Sequence, residues 1–379
     1  MRNTIASNWR YFDFWLMGAV AVLTIFGITM IRSAVAGNIE LTTETNLVNR
    51  QLTFAVLGFF VIIITASIDY HLWASISRTM YLGMAGLLGI LFIVGAAVYG
   101  SARWFETSYF NIQPSELAKI VMILVLADFF SRHQPDMHEL KWVVRSLLLT
   151  MGMVIWILLQ PNLSTTIVIL VIWIALLWAG GLRLRHLLLF VAAGVLLPFA
   201  AFPFLADYQQ ARITNFLFPN PEASYGEIYN IQQALISIGS GGWFGQGYGH
   251  GSQVQLRFLK VRWSDFIFSA MAEEFGFIGT VLVMALILFV VFRCLRAARL
   301  ARDTYGALIA YGVATLIAFQ AMVNVGVNLK LLPATGLTLP FISYGGSSLL
   351  SALLGIGLVQ SVILRHKALE FSAGNSANK

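Results

Sequence analysis

The sequence returns again and again to apolar stretches of bilayer-crossing length. They lie at about 12–32, 52–69, 79–99, 115–131, 143–159, 164–181, 186–205, 265–292, 305–328 and 340–364. About 20 helical residues suffice to cross a hydrocarbon core of about 30 Å. The remainder cannot supply a water-soluble surface, because 58% of the 379 residues are hydrophobic and 11% are charged, against about 25% charged in an ordinary soluble domain. In lipid every backbone polar group must find its partner inside the protein, which leaves helices or closed barrels. The stretches lack the every-second-residue alternation of barrel strands. The sequence therefore predicts an all-α membrane protein, a polytopic bundle of about ten transmembrane helices.

Charge placement predicts the topology. The net charge of +7 is not laid out as a nucleic-acid surface. Basic residues gather in short connections at alternate crossings, notably Arg183, Arg185 and the arginines at 293, 296, 299 and 302. The bias of such residues toward the cytoplasm puts both termini inside. The lone cysteine, Cys294, rules out an internal disulfide. Ala34-Val35-Ala36 has the form of a signal-peptidase site, but the apolar run before it is longer than a signal h-region and Arg32 intervenes, so the run is expected to stay as the first span.

One segment without a spanning stretch is long. Residues 207–264, between the seventh and eighth spans, form an extracytoplasmic loop by this topology. It carries Gly239-Ser240-Gly241-Gly242 and then Gly245, Gly247, Gly249 and Gly251, interleaved with aromatic and basic residues. A loop of this length is functional or disordered, and its aromatic and glycine content predicts an ordered, membrane-hugging one. The chain reads as a single domain over 1–371, with a small, polar and disordered cytoplasmic tail over 372–379.

Ionisable groups inside or at the mouths of spans are expensive and are functional candidates by default. Arg103, Glu116, Lys119, Asp265, Glu273, Glu274 and Lys330 all fall at the outer half in this topology. Glu116 and Lys119 stand three apart on one helical face and can pair with each other or serve a substrate. Glu273 and Glu274 point about 100° apart, so they cannot both face one cavity; on a continuous helix Glu273 would lie about 80° from Asp265. Asp265 opens the eighth span behind Arg257, Lys260 and Arg262. Cations and a helix N-terminus favour its ionised form, as a helix cap or as a base beside a cationic patch. Leu339-Pro340-Phe341-Ile342-Ser343-Tyr344-Gly345-Gly346-Ser347-Ser348 brings small and polar residues into an apolar span, where they pack helices closely or line a cavity. Arg212 is a further cation of the long loop. No Walker-type loop, dinucleotide fingerprint or metal-ligand spacing is present.

Several of these motifs, in order, resemble the shape, elongation, division and sporulation glycosyltransferases, the family of RodA and FtsW. They are Arg103-Trp104, Gln113-Pro114-Ser115-Glu116-Leu117-Ala118-Lys119, Gln160-Pro161, Ile238-Gly239-Ser240-Gly241-Gly242, Ser264-Asp265-Phe266-Ile267-Phe268 with Glu273-Glu274-Phe275-Gly276, and Leu339 to Ser348. The resemblance spans about residues 12–368. It implies a ten-helix fold and polymerisation of lipid II into glycan strands with release of polyprenyl diphosphate. It further implies Asp265 as the base on the acceptor hydroxyl, and Arg103, Glu116 and Lys119 as cavity residues. Arg212, Lys260, Arg262, Glu273, Lys330, Ser343 and Tyr344 complete the candidate substrate-binding set.

The chain resembles RodA more than FtsW at Tyr208-Gln209 and at Gly249-His250-Gly251-Ser252-Gln253, and FtsW more at Thr335-Gly336-Leu337-Thr338. That leaning implies a role in cell elongation and shape, in the bacterial cytoplasmic membrane. Implied partners are a class B penicillin-binding protein, other elongation-complex membrane proteins and membrane lipids; nucleic acid is not one. A divalent cation at the diphosphate is left open, with no protein motif for it. Two departures stand out: Asn162 replaces the family's usual aspartate after Gln160-Pro161, and Leu259-Lys260-Val261 replaces Leu-Pro-Glu. A lipid-precursor flippase and a non-catalytic scaffold for a transpeptidase are the competing readings. A transporter would favour broken helices at the bilayer midplane and often inverted repeats.

Overall fold

A computed structural model describes residues 9–36, 47–99, 104–106, 111–133, 139–183, 186, 188, 190, 192, 194, 202–204, 207–218 and 226–366. The helices in chain order are α1 (Phe14–Val35), α2 (Leu47–Ser67), α3 (Tyr70–Tyr99), α4 (Pro114–Arg132), α5 (Leu140–Leu159), α6 (Leu163–Ala179), α7 (Asp207–Leu217), α8 (Glu227–Gly241), α9 (Ser252–Gln255), α10 (Ile267–Leu300), α11 (Thr304–Asn328) and α12 (Gly346–Leu364). Two-residue strands β1 (Phe105–Glu106) and β2 (Asn111–Ile112) pair antiparallel before α4. Nine of the ten predicted spans are thus helices. The seventh, 186–205, and the tail, 372–379, fall mostly or wholly outside the described residues.

Seven of the helices are long and apolar enough to cross a membrane. α6 is apolar but shorter, and α4 carries Glu116, Lys119, Asp128 and Arg132. A helix that charged has to sit inside the bundle, and α4 packs against α3, α6, α11 and α12. α12 is the most enclosed of the candidate spans and lies along α2. Small residues permit that approach. A Cβ on Gly357 would run into Thr65, and one on Gly58 into Leu353.

Helix ends carry their own signals. Asp13 accepts from Leu16 N at 3.0 Å and starts α1. Asp303 accepts from Gly306 N at 2.7 Å and starts α11, as capping residues do. Asp13 also accepts from Arg293 Nε at 2.8 Å, while Gln360 Nε2 donates to its carbonyl at 2.9 Å. α1, α10 and α12 are thereby tied together at the end opposite Asp265.

The eighth predicted span is not one continuous helix. Gly276 sits at φ 67°, ψ −168° inside α10 and divides it into 267–275 and 277–300. The chain that enters the break comes from the long loop. Gln246 N and Gly247 N donate to the carbonyls of Glu273 and Glu274, and Phe277 N and Ile278 N donate to those of Gly242 and Trp243, all within 2.8–3.1 Å. A Cβ on Gly276 would collide with the main chain of Gly245 and Phe244, so only glycine fits both the positive φ and the close approach. Residues 277–300 alone extend about 36 Å at about 1.5 Å per residue, enough to cross the bilayer unaided. The break therefore lies at one end of the span, in the loop layer. Loop 207–264 is built, where described, from α7, α8, α9 and glycine turns, with Gly242, Gly245, Gly247 and Gly249 all at positive φ.

Candidate active site

Asp265 stands before the first half of the broken helix. The residue lies in a turn ahead of α10, whose N-cap is Phe266, so it neither opens a span nor shares a helical face with Glu273. Its carboxylate Oδ1 accepts from Ser264 Oγ at 3.0 Å. Its main-chain carbonyl accepts from Asn324 Nδ2 at 3.1 Å and Asn328 Nδ2 at 3.0 Å. Gly336, at φ 73°, runs beside it, and a Cβ there would stand 3.8 Å from Asp265 Oδ2. The missing side chain leaves space next to the carboxylate.

Ser343 and Tyr344 reach the same turn through main-chain contacts. Ser343 Oγ donates to Ser264 O at 2.7 Å and accepts from Leu339 N at 2.8 Å, and Tyr344 N donates to Trp263 O at 2.8 Å. Gln51 of α2 holds the other side of that segment, donating to Ser343 O and accepting from Gly345 N, each at 3.2 Å.

The Glu116–Lys119 pair forms. Lys119 Nζ lies 2.7 Å from Glu116 Oε2, with Lys119 wholly buried and Glu116 nearly so. Pro114 opens α4 and Glu116 sits in its first turn, where the helix dipole favours an acid. Asn162 caps α6 by accepting from Thr165 N and gives its amide to Ser115 Oγ at 3.2 Å. An amide caps as well as a carboxylate and also has N–H groups to donate. Ser164 Oγ bonds Thr335 O, and Ser347 Oγ accepts from Gln113 N at 3.0 Å. A continuous polar seam thus joins the α4 N-terminus, the α6 N-terminus and segment 335–348.

Other candidates are distributed differently. Arg212 and Lys330 line one cleft with Asn215, Gln232 and apolar neighbours, and Lys330 takes φ 57°, an uncommon backbone for a side-chain-bearing residue. Lys260 is exposed in the turn before Asp265. Arg262 is turned inward: its Nε donates to Ala34 O at 2.6 Å and its Nη1 to Leu259 O at 3.3 Å, and burial, with Arg257 nearby, lowers its pKa. Glu273 accepts from Gln253 N at 2.8 Å and Ser252 Oγ at 3.3 Å, while Glu274 accepts from Ser33 Oγ. The adjacent acids do face apart: Glu273 ties α10 to α9 of the loop layer, and Glu274 ties it to α1. Arg103 lies outside the described residues. Among the described residues no three His, Cys, Asp or Glu side chains gather to hold a metal.

Asn324, Asn328 and Gln51 escape a search restricted to ionisable side chains. The available signal was two amides four residues apart in an otherwise apolar stretch, which places both on one face.

The family model described as cell cycle protein, FtsW/RodA/SpoVE, matches residues 14–368. The chain is 37% identical over 376 residues to a protein of Hydrogenovibrio crunogenus named probable peptidoglycan glycosyltransferase FtsW, covering 96% of this chain and 95% of that one. It is 34% identical to a protein of the same name from Geobacter sp. strain M18, covering 93% and 97%. Among solved structures, a chain from a study of polymerisation and crosslinking coordinated by a peptidoglycan synthase complex superposes with a TM-score of 0.79 at 30% identity, covering 94% of this chain and 98% of its own. The Thermus thermophilus rod shape determining protein RodA does so with a TM-score of 0.69 at 29% identity, covering 94% and 98%.

Proposed function

The chain belongs to the FtsW/RodA/SpoVE family of cell cycle proteins, and on that premise we propose that it is a peptidoglycan glycosyltransferase joining lipid II units into glycan strands. Asp265 takes the proton of the acceptor sugar hydroxyl as that oxygen bonds to the anomeric carbon of the donor. The donor's bond to diphosphate breaks, and polyprenyl diphosphate leaves with the electron pair. Charge building on the diphosphate calls for cations; Lys260 on the turn, Arg212 with Lys330, and Arg103 are the candidates. Lys119 and Glu116 shape the cavity floor. Arg262 and Glu273 act by holding the loop.

One observation carries this reading: a half-buried carboxylate held by its main chain against a glycine that leaves room beside it. That arrangement suits a positioned base. In this account the active face is extracytoplasmic, both termini lie in the cytoplasm, and the host membrane is the bacterial cytoplasmic membrane. The RodA-like loop motifs favour elongation and a class B penicillin-binding protein as partner.

The broken α10 is the feature that favours a flippase. Its position at the end of the span, with 277–300 able to cross alone, weighs toward catalysis at one face. Purified protein given lipid II in detergent, and separately in vesicles, distinguishes the classes. The proposal predicts glycan polymer. Translocation without polymer would replace it with the flippase, and neither activity would leave a scaffold.

A further inference from the structure

Resting on the assignment of Asp265 as base, we propose that Asn324 and Asn328 of α11 are positioning residues that hold Asp265 out of α10 and aim its carboxylate. The two amides lie one above the other on α11 and are buried, at 2% and 0% exposure. Both donate to Asp265 O, at 3.1 and 3.0 Å.

Asn328 does more than donate to Asp265. In a continuous helix the Ser269 N–H would bond to the carbonyl four residues earlier, that of Asp265. Here Ser269 N donates to Asn328 Oδ1 at 3.2 Å, with Ser269 Oγ on the same oxygen at 2.6 Å, while Asp265 O accepts from Asn328 Nδ2. The amide stands between the two halves of the bond that would have drawn Asp265 into the first turn. Only a side chain with an acceptor and donors together does this. A carboxylate loses the donors, and leucine loses both.

Asn324 adds the second wall. Its Nδ2 also donates to Leu337 O at 2.8 Å, next to Gly336, which faces the Asp265 carboxylate. One amide therefore fixes the Asp265 main chain and the strip of chain opposite it. Asn328 Nδ2 donates to Asn324 O at 2.8 Å and couples the two.

Misplacement of a reacting group by about 1 Å can cost about 10²-fold in rate. In the full-length protein with lipid II, Asn328→Ala and Asn324→Ala should each lower kcat about 10–100-fold while KM stays within about twofold. Ser269→Ala removes the Oγ contact but keeps the main-chain N–H on Asn328 Oδ1, so it leaves Asp265 held and should leave kcat within about twofold. Adding Asn328→Ala to Asp265→Asn should cost little more than Asp265→Asn alone, because the aim of an absent base no longer matters.

Full-rate asparagine variants beside an inactive Asp265→Asn would overturn the positioning role and leave the base assignment standing. A fully active Asp265→Asn would overturn the base assignment itself, and the positioning role with it. Equal losses in Ser269→Ala and Asn328→Ala, tracking a drop in melting temperature, would reduce the asparagines to helix packing. Should Asn328→Ala fail to fold, Asn324→Ala carries the same comparison with the Ser269 arm intact.

Discussion

Single residues explain why this bundle tolerates charge inside it. Lys119 is the extreme case, a wholly buried ammonium 2.7 Å from Glu116. Removing one partner of such a pair strands the other charge and typically costs about 3–5 kcal/mol, whereas replacing both is often close to neutral. Glu116→Gln and Lys119→Met should each lower the detergent melting temperature more than the double variant does. A double variant less stable than both singles would mean that each group serves a different partner.

The pair was legible from its three-residue spacing, and the divergence of Glu273 and Glu274 from their adjacency. The asparagines were not. Their importance lies in Asp265 O and Ser269 N, and a main-chain partner leaves no mark on local sequence. Arg262 is half-hidden for a related reason: its charge reads as a patch beside Asp265, yet its Nε and Nη1 bond the Ala34 and Leu259 carbonyls.

Elements were legible wherever hydrophobicity alone decides them. α1, α2, α4 to α6 and α11 fall within about five residues of the predicted spans, because length and apolarity are what the bilayer selects, whereas α3 starts at Tyr70, well ahead of the predicted 79. The division of α10 could not be read this way, since glycine is common in membrane helices and Gly276 is broken by what enters beside it. Loop residues 242–247 supply both the acceptors and the donors that the opened turn needs.

Contrasting substitutions test this. Gly276→Ala meets the main chain of Gly245 and Phe244 at a positive φ, where strain costs about 1–3 kcal/mol even before the collision. Gly18→Ala in α1 meets nothing within 4 Å and should hold or gain about 0.5–1 kcal/mol. Melting of the two variants in detergent should move in opposite directions. A harmless Gly276→Ala would show that the helix is continuous in solution.

The whole molecule was legible as class and family, because ten apolar stretches and six ordered motifs constrain far more than any one residue. Sidedness rests on the basic connections. With Cys294 replaced, His250→Cys on the loop and Arg302→Cys after α10, both exposed, should label from opposite sides of intact cells with an impermeant thiol reagent. Equal labelling from outside would reverse or break the topology, and would remove the access of Asp265 to an extracytoplasmic substrate.

The most direct test of the account is the polymerisation rate of Asp265→Asn beside its affinity for lipid II. Asparagine matches the size of aspartate and accepts hydrogen bonds as it does, but it cannot take a proton at neutral pH. The main-chain contacts to Asn324 and Asn328 do not depend on the carboxylate. The variant should therefore fold and bind lipid II within a few-fold of the parent, and extend glycan about 10²–10⁴-fold more slowly, the range for loss of a positioned base. Polymerisation at near the parent rate would contradict the account and move the search for the base to Glu116.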